Sequence, residues 1–343
     1  MTSKAALRFA CCAGLAAVLS ACATTSEVGG PTDVVAAIAD PPAKPGAPLL
    51  LLAMPPAADF QDVRRALITE VKNNFNVSTF LVTASTAPAD LAQVIARTSP
   101  ACLVLMNNAT VALYREYQEA HRDQKLPPAV VVMTLFLEEL QGNLKNTTGI
   151  AYEVPGVTAF VDLRSVIRAP VRRVGVVYRP AFRAFIERQK ALAAREQIDL
   201  VAAEVGKEVD VHGLRAALHG LLTSDKVDAL WLLNDNELIK NTQFLDDTWR
   251  TEIAAAKVPL VVGVPNLVNP RTPLGSFAVV PDHEALGLQT ANLIFELQEN
   301  GWRADEHGVE LPLSVKTVVD LKQLRDNFGL KEDALRHIDR ALE

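Results

Sequence analysis

Ala101-Cys102-Leu103-Val104-Leu105-Met106-Asn107-Asn108-Ala109-Thr110 passes from an unbroken apolar run into polar residues that open an amphipathic stretch, 109–121. A run with no polar face suits a strand covered on both sides of a parallel sheet. The stretch after it repeats apolar positions at helical spacing. The same unit recurs along the chain. Residues 49–54, 77–82 and 129–133 read as further strands, with helical patterns at 59–73, where Phe60, Val63, Leu67 and Val71 lie three and four apart, and at 88–96. After 147–151 a second set begins, with strands at 174–177, 200–203, 229–233, 260–262 and 276–280. Helical stretches at 182–195, 211–222 and 238–257 separate them, and 284–299, a β-like stretch 309–319 and a helical part from Lys322 follow. This alternation predicts an α/β chain of two doubly wound, Rossmann-like lobes in series, with a hinge and an interlobe cleft. Ligands sit at the carboxyl ends of strands in such sheets.

The amino-terminal residues predict where the chain works. Lys4 and Arg8 precede an apolar stretch from Phe9 to Val18, and Leu19-Ser20-Ala21-Cys22 follows. These are the parts of an export signal, too short to span a bilayer, which takes about 20 apolar residues. The pattern resembles a bacterial lipoprotein signal, which implies that Cys22 becomes the lipidated first residue; the alternative is an ordinary cleaved signal in which Cys22 is incidental. Ala23, where an aspartate would favour inner-membrane retention, leans towards the outer membrane. Residues 23–48, with Gly29-Gly30-Pro31, Pro41-Pro42, Pro45 and Pro48, read as a flexible tether.

Composition narrows the function. Loss of Lys4 and Arg8 with the signal leaves 32 basic side chains against 40 acidic ones, dispersed without runs of one sign. Such a surface excludes nucleic acid as an expected partner. Cys102, the remaining cysteine of the mature chain besides Cys22, lies in an apolar run and behaves as a small hydrophobe. No nucleotide-binding, nucleophile-elbow or zinc-protease motif occurs. His212 and His219, seven apart on a helix, are too far apart to chelate one metal unaided. The adjacent pairs Glu138-Glu139 and Asp246-Asp247 are not placed as an acid and base. The residues therefore point to no cofactor, metal or catalytic group.

Several segments in order carry a family resemblance: Val174-Gly175-Val176-Val177-Tyr178-Arg179-Pro180, then Val227-Asp228-Ala229-Leu230 leading to Asn234-Asp235-Asn236, then Val258-Pro259-Leu260-Val261-Val262-Gly263, and Asp282 through Leu286-Gly287 into a long helix. Together with Thr147-Thr148-Gly149-Ile150 upstream, they resemble the ABC-transporter substrate-binding family that includes tryptophan and tyrosine binders. The resemblance implies a type I periplasmic binding fold with crossovers near 148–153, 279–282 and 309–315. It gives a first lobe of 49–149 with 282–308 and a second of 150–281 with 309–330; beyond them Leu335, Ile338 and Leu342 fall at helical spacing and predict an added C-terminal docking helix at 331–343. The resemblance also implies a small-molecule ligand and ABC permease subunits as partners, without catalysis.

Candidate ligand-binding residues lie at strand ends. Asn107, Asn108 and Thr110 stand where a helix start offers free N–H groups to a carboxylate, although a helix cap is the commoner role for Asn108 and compatible with the first. Thr134 follows the strand 129–133. Asp235 is placed to meet a ligand cation or to cap the helix after it. Tyr178 and Phe182 form either an aromatic wall for a flat apolar ligand or core packing, and Asn266 lines the next strand end or is a plain turn residue. Where the family shows an Asp-Pro and small polar residues, this chain reads Thr134-Leu135-Phe136-Leu137-Glu138-Glu139, and its first loop, Met54-Pro55-Pro56-Ala57, is apolar. Both departures make a more hydrophobic ligand plausible beside the amino-acid-like one that the resemblance implies. Two functions remain open: a lipid-anchored receptor of an ABC importer on the periplasmic face of the envelope, or an outer-membrane lipoprotein of the same fold that senses or regulates an envelope enzyme by protein contact.

Overall fold

A computed structural model describes residues 39–142, 144–271 and 274–342; the signal, Cys22 and most of the tether lie outside them. In chain order the elements are β1 (Leu49–Met54), α1 (Ala58–Val71), β2 (Asn76–Leu81), α2 (Pro88–Thr98), β3 (Cys102–Met106), α3 (Asn108–Ala120), β4 (Ala129–Thr134), α4 (Leu137–Gln141), β5 (Thr147–Ala151) and α5 (Gly156–Val166). They continue with β6 (Arg173–Tyr178), α6 (Arg183–Arg195), β7 (Asp199–Glu204), α7 (Val211–His219), β8 (Ala229–Leu232), α8 (Thr242–Phe244), α9 (Thr251–Ala256), β9 (Leu260–Val262) and β10 (Phe277–Pro281). The chain ends with α10 (His283–Glu299), β11 (Val309–Glu310), β12 (Val315–Asp320), α11 (Leu321–Phe328) and β13 (Arg340–Leu342).

The strands form two sheets, each the centre of a lobe. The first has the order β11-β5-β4-β3-β1-β2 and is parallel throughout. The second has the order β13-β12-β10-β9-β8-β6-β7, with β12 antiparallel to β10. The apolar runs become central strands because helices cover both faces. β1, β3 and β4 are buried almost end to end, facing α1 and α10 on one side and α2 and α3 on the other. Side chains the size of Leu50 or Leu103 each contribute about 1.5–3 kcal/mol on such burial. Gly287 lets α10 lie close against α1, since a Cβ there would stand 2.5 Å from the Val63 carbonyl oxygen. Cys102 is fully buried, and burial pushes its thiol up to about 12.

Several expectations need correction. The stretch 309–319 is not one second-lobe strand: Val309–Glu310 pairs with β5 in the first sheet, and only β12 joins the second. β5 likewise stays in the first sheet to Ala151, past the expected boundary at 150. The C-terminal helix at 331–343 is instead a single turn, Ala334–His337, followed by β13 parallel to β12. Asp339 accounts for this, because its carboxylate accepts from the Thr317 N–H at 2.8 Å and pulls the backbone beside β12. The end of the tether is docked. The Asp40 carboxylate accepts from Arg64 Nη2 (2.7 Å), Thr79 N (2.9 Å) and Thr79 Oγ1 (2.6 Å), and Asn76 holds Lys44 and Ala47. The helical pattern at 238–257 is broken into 3-10, α and π turns. α4 and α5 arise where no helix was expected.

Candidate functional site

The loops at the carboxyl ends of β3 and β4 carry the first-lobe candidates. Asn107, with φ 97°, caps α3: its Oδ1 accepts from the Thr110 N–H at 3.0 Å, while Thr110 Oγ1 donates to the Asn107 carbonyl at 2.9 Å. The cap is thus Asn107, not Asn108. Asn108 instead staples the next loop, its Nδ2 donating to the Leu135 carbonyl (3.0 Å) and its Oδ1 accepting from the Leu135 N–H (2.9 Å). Thr134 is fully buried and its hydroxyl donates to the Val132 carbonyl at 3.4 Å.

Past the staple, Phe136 adopts a left-handed backbone, φ 56° and ψ 45°, which an L side chain rarely takes without support. Its N–H donates to Glu153 Oε1 at 2.8 Å. Glu153 sits on the first crossover between lobes, where burial pushes its carboxyl up to about 8, only partly opposed by that N–H. A cavity of about 20 Å³ adjoins it, lined also by Tyr152, Trp231, Asn234 and Val279, which is room for one water.

Second-lobe candidates stand at the ends of β6 and β8. Asp235, 3% exposed in its side chain, receives Arg179 Nε at 2.6 Å and Nη2 at 2.8 Å. Its Oδ1 also accepts from the Glu237 N–H, so it is both a cap and one half of a buried, two-pronged ion pair. The bonded carboxylate raises the Arg179 pKa. Tyr178 donates to Glu204 Oε2 at 3.0 Å, and Arg183 grips both oxygens of the same carboxylate. Arg183 and Tyr178 hold the Glu204 pKa down.

The lobes meet through aromatic rings. Phe136 packs on Phe182 with centroids 4.4 Å apart and stands edge-on to Phe185 at 5.3 Å. The Arg179 guanidinium lies over Phe182, and Phe185 continues to Trp231 and Phe160. Beside these rings, Arg188 of α6 reaches Glu138 (3.1 Å) and Glu139 of α4.

Asn266 is elsewhere, in an open groove between lobes with Asp59, Asp62, Asp282, His283 and Lys316. Asp59, Asp62 and His283 bring one donor atom each within 4.8 Å of one another, a spacing that a metal ion could use. Tyr152 bonds the His283 Nε2 at 2.9 Å, and Arg65 already engages Asp62 at 2.9 Å.

Asp235, Tyr178 and Phe182 stand at the carboxyl ends of the neighbouring strands β6 and β8, and Asn266 lies apart from them. Sequence reasoning missed Arg179, Phe136, Glu153 and Arg188. A signal existed for Phe136, an aromatic residue in a loop where polar ones were expected; nothing local marks the others.

The chain matches the family model described as ABC transporter substrate binding protein over residues 128–327. No curated protein sequence matches it. Among solved structures it resembles an ABC domain in complex with L-Trp from Streptococcus pneumonia (14% identity, 86% of this chain and 100% of that one, TM-score 0.55). It also resembles a conserved domain protein from Vibrio cholerae (18%, 86% and 99%, TM-score 0.56) and a ligand-free, open substrate binding protein with adhesive properties from Clostridium difficile (12%, 86% and 98%, TM-score 0.64). These likenesses show the type I periplasmic binding fold. No helix among the described residues is long and apolar enough to cross a membrane. With the family model covering more than half its length, the chain belongs to the ABC transporter substrate binding protein family.

Proposed function

We propose that this chain is the solute-binding component of an ABC import system, anchored by lipid at Cys22 on the periplasmic face of the envelope and closing its lobes around a small, neutral, apolar ligand. It hands that ligand to permease subunits and carries out no chemistry itself. Ala23 favours the outer membrane.

The Arg179–Asp235 pair carries the ligand assignment. A free carboxylate at the end of β8 would suit an ammonium group; here both its oxygens are occupied by a guanidinium. Asn107 Oδ1 and the Thr110 hydroxyl are taken up within the helix cap, which leaves the Asn107 amide nitrogen as the side-chain donor there. The Phe182 and Phe185 rings, against which the Phe136 ring now packs, give an apolar surface to a ligand that displaces it, and rings favour apolar, flat partners. A zwitterionic amino acid would lose solvation in such a cleft without compensating partners.

The test is native mass spectrometry of residues 23–343 purified from the host, then thermal-shift titration with amino acids and with apolar metabolites. Stabilisation by apolar compounds alone supports the assignment, and stabilisation by an amino acid overturns it. A second reading, an outer-membrane lipoprotein that senses or regulates an envelope enzyme by protein contact, is favoured by one observation: the chain's own side chains already bridge the lobes.

A further inference from the structure

We propose that Phe136 is a latch: it seats between Phe182 and Phe185 of the opposite lobe and ties the two lobes together along this seam without any small molecule. This goes beyond the receptor assignment and holds whether or not a ligand follows.

Three independent features support it. The first is aim. Phe136 leaves β4 through a left-handed backbone, and Met133 three residues earlier is also left-handed, with φ 56°. Two such residues, one in the irregular end of β4 and one in the turn after it, cost free energy, and they persist only where the surroundings fix them. Here Asn108 holds Leu135 by both its N–H and its carbonyl, and Glu153 accepts the Phe136 N–H. The loop is therefore built to present one side chain in one direction.

The second feature is the seat. Phe182 packs against the Phe136 ring at 4.4 Å and Phe185 meets it edge-on at 90°. Both are geometries in which aromatic rings attract. The Phe182 ring, expected from sequence to cover a ligand, is covered by the chain itself. The third is a charge clasp beside the seat: Arg188 on α6 reaches both Glu138 and Glu139 on α4, the helix that Phe136 caps. Apolar and ionic contacts thus cross the same seam. In a receptor whose lobes are shut only by ligand, the seam residues need no partners in one another.

The latch makes this contact between lobes a property of the sequence, and a ligand reaches the Phe182 ring face only by displacing the Phe136 ring. Small-angle scattering of the mature chain tests it, after exhaustive dialysis and with native mass spectrometry confirming that nothing is bound. The expected result is a compact wild type, with Phe136→Ala and Arg188→Glu each expanded. Glu138→Arg and Glu139→Arg added to Arg188→Glu should restore compactness. The latch is overturned if the stripped wild type is as expanded as the variants. It is also overturned if folded Phe136→Ala scatters like wild type. Should Phe136→Ala fail to fold by circular dichroism, the exposed Arg188 series decides alone: expansion and rescue support the latch, and unchanged scattering in Arg188→Glu refutes it. Failure here is distinct from failure of the receptor assignment, which the ligand titrations read.

Discussion

Replacing Glu153 by Gln should stabilise the protein, and by an amount that depends on pH. Burial raises this carboxyl from 4.5 to about 8, so between those values the folded chain keeps it neutral while the unfolded chain ionises it. The sign follows from linkage: a carboxyl whose folded pKa is raised costs nothing below its unfolded pKa, costs progressively more as pH rises towards the folded pKa, and reaches a constant cost above it. At about 1.36 kcal/mol per pH unit, the rise from 4.5 to about 8 has an upper bound of ~5 kcal/mol. Gln is neutral at every pH and keeps an oxygen to accept the Phe136 N–H. Thermal unfolding of both proteins from pH 4 to pH 9 should therefore show a small difference at the acid end, a variant advantage that grows through neutrality, and a plateau above about pH 8. Half the upper bound would still move Tm by several degrees, since each kcal/mol is worth about 2–4 °C in a chain of 150–250 residues and somewhat less in this longer one. Parallel curves with no growth across this range would refute the claim that Glu153 is buried neutral at the crossover.

Other substitutions test other parts of the account. Arg179→Ala leaves Asp235 buried without its cation and should cost about 3–5 kcal/mol in chemical denaturation, whereas Arg179→Ala with Asp235→Ala should cost less than the single change. Asp40→Ala removes the acceptor for Arg64, itself 1% exposed, and for Thr79; a loss of ~2 kcal/mol is expected, with faster proteolysis of residues 39–48. Gly263→Ala would set a Cβ 2.3 Å from Asn234 Oδ1, and the resulting shift beside the crossover cavity should cost about 1–3 kcal/mol.

Much of the fold was legible because the central strands announce themselves. Cys102-Leu103-Val104-Leu105-Met106 and Leu230-Trp231-Leu232 are apolar without alternation, and only a strand covered on both faces has that pattern. What failed was local and tertiary in origin. Leu335, Ile338 and Leu342 fall at helical spacing, yet Asp339 bonds the β12 backbone and turns the segment into a strand. The short α4 carries too few residues to show a period. Pro-rich composition suggested a free tether, yet Asp40, bonded to the buried Arg64 and to Thr79, and Asn76, bonded to Lys44 and Ala47, dock its end.

The site was legible by position and not by pairing. Strand ends can be found from hydrophobic runs, so Asp235, Phe182 and Asn108 could be assigned to loops at strand ends. Which atoms they meet depends on residues far away in sequence: Arg179 lies 56 positions from Asp235, and Asn108 bonds a residue 27 positions on. No short-range pattern encodes such partners. Arg179 turned a candidate ligand contact into a satisfied pair, and Phe136 turned an open aromatic wall into an occupied one.

The most direct measurement of the central claim is native mass spectrometry of residues 23–343 from the host, followed by titration with indole and with L-tryptophan, which share a ring and differ in charge. The account predicts a bound or stabilising neutral, apolar molecule and no response to the zwitterion. Stabilisation by L-tryptophan, or a cleft found empty and unmoved by every apolar compound, would contradict it.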